Sequence, residues 1–172
     1  MHQQFLFISI FSFLISCTSP TPQEEFAHQL WEFEGKLLIS IEDRASVVNI
    51  VWKQHDDSSQ IFLSGPLNLG QVYILANSDK IIVDAQGNTQ DYGLDQALII
   101  EGEKFHIPWK PLSYWVRGLQ GSNMATINGA FYQNGWTVEV SDPSIEGPNL
   151  ITVKRDKISL RLKILRRGKT IK

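Results

Sequence analysis

The chain has 172 residues, a formal net charge of −2 at pH 7, 42% hydrophobic residues and a single cysteine, Cys17. This length predicts one domain with a substantial hydrophobic core. The lone cysteine excludes a scaffold held by internal disulfides, and the charge balance argues against a nucleic-acid partner.

The N-terminus, residues 1–16, is predicted to be a signal peptide. Its apolar run, Phe5–Ile15, is shorter than the ~20 apolar residues that a transmembrane helix needs. The run has the length and position of a signal-peptide hydrophobic region, although Met1–Gln4 lacks the usual Lys or Arg.

Leu14–Cys17 fits the bacterial lipobox, in which an apolar residue, a tolerated residue and a small residue precede the cysteine. Cleavage before Cys17 would let this residue carry acyl chains, and residues 17–23 would form a lipidated tether. An Asp directly after the lipidated cysteine favours retention in the inner membrane. Because this position is Thr18, the outer membrane is favoured. The alternative is a soluble secreted protein with one free thiol.

Residues 24–172 are predicted to form a single domain that begins with a short helix over Glu24–Trp31, where apolar residues recur at helical spacing. Strands follow, because apolar and polar residues alternate from Phe33 to Glu42 and again from Ala45 to Lys53. A polar hairpin loop, His55–Ser59, ends this part.

The most unusual stretch is Ile61–Ala76, which predicts two strands joined by a turn containing Gly65 and Pro66. Such a turn is normally polar, but this one carries Leu67 and Leu69. Two interpretations are open: both leucines fold back onto the core, or they form an apolar finger that touches lipid or another apolar surface.

Two helices are predicted in the middle of the chain, over Leu94–Ile100 and Pro111–Arg117, with Gly118 as the stop of the second. Antiparallel strands are predicted on both sides of this pair. They cover Lys80–Asp84, Thr89–Tyr92, Ile127–Gln133, Trp136–Val140, Leu150–Arg155 and Ile158–Leu165. Roughly ten strands with one apolar face predict a mainly β fold, a barrel or half-barrel that the two helices plug.

Basic residues are concentrated at the C-terminus: Lys154–Lys172 holds nine of them and one acid, Asp156. One interpretation is a solvated outer strand face with a basic tail. The other is attraction to anionic headgroups or to an acidic partner.

Catalytic signals are weak, and no enzyme activity is predicted. The sequence has no nucleophile elbow, phosphate-binding loop or dinucleotide fingerprint, and its histidines lack metal-ligand spacing. These histidines are His2, His28, His55 and His106. We therefore expect no metal and no cofactor, and a lipid-modifying enzyme is the least favoured alternative.

An ordered set of motifs resembles the LolB family of outer-membrane lipoprotein receptors. The set runs from the lipobox through Trp31, Phe33–Leu37, Trp52 and Gly65–Gly70. It continues with Ile107–Pro108, Leu112, Trp115, Gly118–Leu119, Asn134–Trp136 and Pro148–Leu150. The resemblance implies an open, incomplete antiparallel β-barrel of about eleven strands with a helical lid.

The resemblance also implies a function. An apolar cavity would accept the acyl chains of lipoproteins from the periplasmic carrier LolA, and an exposed leucine would insert this cargo into the outer membrane. That role falls on Leu67, with Leu69 as second choice. The expected cavity or lid residues are Trp31, Trp52, Leu112, Trp115 and Trp136, and ordinary core positions are the alternative for each Trp. We expect a monomer anchored at Cys17. The competing function is a passive outer-membrane scaffold without a ligand.

Overall fold

A computed structural model describes residues 30–68, 70–94, 98–100, 103–106, 108–121, 125–126 and 129–168. The described residues form fourteen strands, one short α-helix and a single 3₁₀ turn at Pro66–Asn68. The strands are β1 (Trp31–Ile41), β2 (Arg44–His55), β3 (Ser58–Ser64), β4 (Val72–Ala76), β5 (Lys80–Ala85), β6 (Asn88–Gly93), β7 (Leu98–Ile100), β8 (Glu103–Phe105), β9 (Leu119–Gln120), β10 (Ala125–Thr126), β11 (Ala130–Gln133), β12 (Trp136–Ser144), β13 (Gly147–Arg155) and β14 (Ile158–Arg167). The helix, α1, spans Trp109–Trp115.

Ten of these strands form one antiparallel sheet in the order β11-β12-β13-β14-β1-β2-β3-β4-β5-β6. Two meanders, β1–β6 and β11–β14, join where the first strand pairs with the last, with Leu37 opposite Leu162. In the described part of the chain, β6 and β11 do not pair with each other, so the sheet stays open. The predicted open antiparallel β-barrel is therefore confirmed. Two separate hairpins, β7–β8 and β9–β10, complete the strands.

The long strands give the sheet two distinct ends. We call one the Leu67 end; it carries the turns that follow β1, β3, β5, β11 and β13. We call the other the Trp31 end; it carries the start of β1 and the turns that follow β2 and β4. Because Trp31 pairs with Gln54, the chain joins the sheet at the end away from Leu67.

The core lies on the concave face, because alternate strand residues point there. Phe33, Ile50, Trp52, Val138 and Ile151 are each at most 4% exposed. Rings of Trp31, Phe33 and Trp52 lie 5.5–5.9 Å apart between centroids. The concave face is thus apolar, as the alternation in the sequence predicts.

Of the three helices predicted from the sequence, one is confirmed. The predicted helix over Glu24–Trp31 falls mostly outside the described residues. At its last residue, Trp31, the helix prediction is wrong, because Trp31 begins β1. The predicted helix over Leu94–Ile100 is wrong at Leu98–Ile100, which forms β7 and pairs with β8. An apolar run this short fits a strand as well as a helix, and tertiary pairing decides between them. The second middle helix is confirmed, two residues earlier than predicted.

Candidate functional site

Helix α1 crosses the concave face, and the residues on either side of it determine where it begins and ends. It begins after Pro108, whose carbonyl accepts a hydrogen bond from Leu112 N–H at 2.9 Å. The turn after Trp115 contains Gly118, whose N–H donates to the Trp115 carbonyl at 2.9 Å and whose φ of +76° is a left-handed conformation that glycine adopts freely. The Trp109 and Trp115 side chains are buried, and Trp109 stacks on Trp52 with 5.8 Å between ring centroids. The helix therefore covers the sheet with an aromatic face.

An apolar cavity of about 90 Å³ lies between α1 and the sheet. Its walls are inward-facing apolar residues of β1–β4, β13 and β14, and Trp109, Leu112 and Val116 close it on the helix side. Pockets that hold drug-sized ligands have volumes of ~300–1,000 Å³, so this cavity is too small for a long acyl chain. A larger ligand would need α1 to move away from the sheet.

Partly buried residues border the cavity toward the Leu67 end. Ile39, Leu63 and Leu160 line this side, and each is only partly buried. Further inward-facing residues of the same region, Val72 and Ile158, are also only partly buried although they pack on the core. At this end, the apolar concave face beside the cavity is therefore incompletely covered.

Arg117 holds the end of α1 against β1. Its guanidinium lies 5.7 Å from the Trp31 ring centroid and 5.3 Å from that of Tyr114, within cation–π range. Its Nε also donates a hydrogen bond to the Ser113 carbonyl at 3.3 Å. Burial lowers the pKa of Arg117 from its ordinary value, and the charge interaction with Tyr114 opposes the change in part. The Arg117 side chain ties the end of the helix to the sheet.

A second, larger cleft of about 490 Å³ lies at the Trp31 end. Its lining includes Asp56, Asp57, Lys110 and Arg117 beside Trp31. Charged and hydroxyl-bearing walls do not suit an alkyl chain, because burying polar groups without partners is costly. Despite its smaller volume, the apolar cavity under α1 is therefore the better candidate for binding acyl chains.

The turn between β3 and β4 presents Leu67 to solvent. Leu67 is 92% exposed and has φ 58° and ψ 25°, a left-handed conformation that L-residues disfavour. The base of the turn is tied to β2, because Asn49 Nδ2 donates to Ser64 Oγ at 3.4 Å and to the Gly65 carbonyl at 3.5 Å. The turn thus holds one aliphatic side chain away from the core. Leu69 lies outside the described residues.

The predicted cavity and lid residues fall in different places. Trp52 and Leu112 line the apolar cavity, whereas Trp31 lines the polar cleft. Trp115 lies in α1, fully buried, and its Nε1 donates to Gln133 Oε1 at 2.8 Å. Trp136 is a core residue below the Arg155 guanidinium and does not line the cavity. Cys17 lies outside the described residues.

Two residues that close the cavity, Trp109 and Val116, were not among the cavity residues predicted from the sequence. Trp109 directly precedes Lys110-Pro111, and a proline is common in the first turn of a helix. The helix could therefore have been started two residues earlier, which would have placed Trp109 three residues before Leu112 on the same face.

The described residues offer no cluster of three or more His, Cys, Asp or Glu side chains suited to a metal ion. His55 Nδ1 lies 3.3 Å from Asp56 Oδ2 in an exposed turn, and His106 is exposed. No α-helix in the described part of the chain has the length and apolar character needed to cross a membrane.

A model of the protein family described as "Outer membrane lipoprotein LolB" matches residues 29–166, well over half of the chain. The chain belongs to the LolB family. The resemblance seen in the sequence motifs is therefore confirmed, and with it membership of a family of outer-membrane lipoproteins.

Similar proteins include two LolB proteins. "Outer-membrane lipoprotein LolB" of Francisella tularensis subsp. tularensis (strain FSC 198) is 26% identical over 161 residues, which cover 83% of this chain and 78% of that protein. The LolB protein of Cellvibrio japonicus (strain Ueda107) is 31% identical over 90 residues, which cover 52% of this chain and 44% of that protein. Among solved structures, the LolA superfamily protein NE2245 from Nitrosomonas europaea matches with a TM-score of 0.49 and 8% identity, over 82% of this chain and 86% of that one.

Proposed function

We propose that this protein is an outer-membrane lipoprotein receptor. It accepts the acyl chains of lipoproteins from a LolA-like periplasmic carrier and inserts them into the outer membrane, without catalysis. The observation that carries the proposal is the exposed Leu67 at the same end of the sheet as the partly buried apolar residues that border the cavity. Membership of the LolB family supports it. The protein acts as a monomer on the periplasmic face of the membrane, held by lipids on Cys17.

The hydrophobic effect drives the transfer. Each CH₂ group of an acyl chain removed from water contributes ~0.8 kcal/mol, so the chains do not cross an aqueous compartment uncovered. A cavity walled by Ile50, Leu112 and Ile151 offers them apolar surroundings. Transfer needs no nucleotide if affinity increases from the carrier to the receptor and then to the bilayer.

Acceptance requires the cavity to grow. Helix α1 is seven residues long, and Arg117 fastens its C-terminal end to Trp31. Rotation of α1 away from the sheet would expose Ile50, Trp52 and Ile151 to the incoming chains. The chains would then replace Trp109 and Leu112 against the sheet, so that the apolar surface stays covered throughout.

Delivery is assigned to Leu67. A single aliphatic side chain, held out by a turn whose base is tied to β2, can enter the acyl region of a bilayer before the cargo does. Contact there lets the cargo chains pass from the apolar end of the sheet into lipid.

A transfer assay tests the proposal. Unlipidated protein with Cys17→Ser is mixed with a carrier holding a labelled lipoprotein, and then with outer-membrane vesicles. We expect the protein to take the lipoprotein from the carrier and pass it to the vesicles. We expect Leu67→Glu to accept cargo normally and to deliver at least tenfold less.

The matched control is Leu75→Glu, which changes a leucine that is 48% exposed on β4. This variant should accept and deliver as the parent does. Normal delivery by Leu67→Glu would disprove the role of Leu67. Failure of the parent protein to take any cargo would favour a passive scaffold. The scaffold is the second candidate function, because the closed cavity is small.

A further inference from the structure

Three cations form a patch on the convex face of the sheet, opposite the cavity. Lys36 of β1 is directly opposite Lys163 of β14, and Arg161 lies two residues from Lys163 on the same face. All three side chains are exposed. We call Lys36, Arg161 and Lys163 the basic patch.

Among the described residues, the charges of the basic patch are not neutralised by ion pairs. Five other exposed cations have acidic partners: Lys53 pairs with Glu32, Lys80 with Asp91, Lys154 with Glu139, Lys157 with Glu42 and Arg166 with Glu34. In the part of the chain that the structure describes, none of the three patch residues has an ion pair. Like charges directly opposite each other on neighbouring strands are destabilising, so this arrangement does not serve the stability of the sheet.

The basic patch is connected to the turn that carries Leu67. Lys163, Lys36, Asn49 and Ser64 occupy one row across β14, β1, β2 and β3. Lys36 Nζ donates to Asn49 Oδ1, and Asn49 Nδ2 in turn donates to Ser64 and Gly65 at the base of the turn. Two strand spacings of ~4.8 Å separate Lys36 from Ser64, and three separate Lys163 from it, so these charges lie about 10 Å and about 14 Å from the turn.

Aliphatic side chains accompany the charges. Val47, which is 51% exposed, lies in the same cross-strand row as Arg161, with Leu38 between them. Leu165, two residues after Lys163, is 59% exposed. Cations mixed with exposed aliphatic groups are typical of surfaces that lie at a membrane interface.

We propose that the basic patch binds the phosphate groups of anionic phospholipids while Leu67 enters the bilayer. This inference rests on the proposed function and adds the orientation in which delivery occurs. Lipid is favoured over an acidic protein because lysine is depleted in protein–protein interfaces, whereas each Lys or Arg near an anionic membrane surface contributes favourably to binding. The patch would therefore draw the Leu67 end onto membrane that is rich in anionic lipid.

Vesicle binding by the full mature chain with Cys17→Ser tests the proposal. The vesicles contain either phosphatidylcholine alone or phosphatidylcholine with phosphatidylglycerol. We expect at least tenfold tighter binding to the anionic vesicles, and we expect added salt to weaken it because salt screens exposed charges. The variant Lys36→Gln/Arg161→Gln/Lys163→Gln should lose this preference.

The control, Lys53→Gln/Lys80→Gln/Lys157→Gln, changes the net charge equally at exposed lysines that have acidic partners. It should keep most of the preference. Equal binding of the two triple variants to anionic vesicles would overturn the proposal, because net charge alone would then explain the attraction. If the patch variant fails to fold, Lys36→Gln/Lys163→Gln is used, with Lys53→Gln/Lys157→Gln as its control.

Uptake of an acylated peptide in solution separates this proposal from the proposed function. The patch variant should take up the peptide as well as its parent does. Failure of the parent to take up the peptide would count against the receptor function, whatever the vesicle result. A patch variant that binds anionic vesicles normally but no longer receives cargo from the carrier would overturn lipid binding in favour of an acidic protein partner.

Discussion

Leu67 combines two features that lower the stability of a folded protein. It adopts left-handed backbone angles, which cost an L-residue ~1–2 kcal/mol, and 92% of its surface is exposed to water. Residues held in disfavoured conformations concentrate at functional sites. The sequence predicted an unusual turn here and left the direction of the leucine open. The backbone angles and the exposure were not readable from the sequence, because they depend on how the turn is tied to β2.

Replacing Leu67 by asparagine should raise stability while reducing function. Asparagine tolerates left-handed angles, and little buried surface is lost, so we expect a gain of about 0.5–1 kcal/mol in the free energy of unfolding. Denaturant unfolding measures it, and delivery of cargo to vesicles should fall in parallel. The comparison is Leu75→Asn, which should destabilise because asparagine is disfavoured in strands such as β4. A loss of more than about 1 kcal/mol on Leu67→Asn would contradict this explanation of the turn.

At the scale of elements, α1 closes the cavity on the side that faces away from the sheet. Pro111 and Gly118 marked this helix in the sequence, because one suits a first helical turn and the other a C-terminal stop. The same reasoning failed for Leu98–Ile100, where the strand pairing with β8 is not visible in local spacing. The contact of Arg117 with Trp31 could not be predicted either, because it joins residues 86 positions apart.

Removing the Arg117 side chain should loosen α1. The cation–π contacts with Trp31 and Tyr114 are each expected to contribute ~0.5–1 kcal/mol. Hydrogen exchange of amides in Trp109–Gly118 should therefore become several-fold faster in Arg117→Ala. The control is Arg155→Ala, which removes a similar contact with Trp136 away from the helix. Faster exchange of α1 in the control as well would indicate general destabilisation instead.

The end of α1 also depends on Gly118. A Cβ at this position would lie 2.8 Å from Pro148 Cδ, and φ is +76°. Gly118→Ala should therefore be destabilising, and part of that loss arises from the backbone angle alone. Gly70→Ala measures the loss that comes from the backbone angle alone. Gly70 has φ +62°, and a Cβ added there would have open space around it. We expect Gly118→Ala to lose at least about 1 kcal/mol more than Gly70→Ala in denaturant unfolding.

At the scale of the whole molecule, strand alternation predicted most of the sheet but not its arrangement. Each of β1–β6 and β11–β14 follows from local alternation and turn residues, such as Asn134–Gly135 between β11 and β12. The central pairing of β1 with β14 joins distant parts of the sequence, and local patterns do not encode it. The small volume of the closed cavity was also not predictable, since it depends on how Trp109 and Leu112 pack on the sheet.

Acyl ligands should stabilise the whole molecule if they bind the folded state. A ligand present at 100 times its Kd adds ~2.7 kcal/mol to the free energy of unfolding. Thermal unfolding with increasing amounts of a short-chain, non-micellar diacyl phospholipid should therefore show a rising Tm. Ile151→Trp should fill part of the cavity and reduce this rise. A Tm unaffected by the lipid would argue that the interior is only a packed core.

The chain joins the sheet at the Trp31 end, so the membrane anchor proposed at Cys17 and the leucine proposed to enter the membrane extend from opposite ends of the domain. Ser64, at the base of the turn, pairs with Asn49, which lies on β2 about 17 Å from Gln54, the partner of Trp31. The segment from Cys17 to Trp31 reaches about 46 Å when fully extended. That length allows an anchored molecule to invert and bring Leu67 to its own bilayer. Deleting Thr18–Gln23 should leave the tether too short for this inversion. An anchored molecule could then deliver cargo only to a membrane other than the one that holds it.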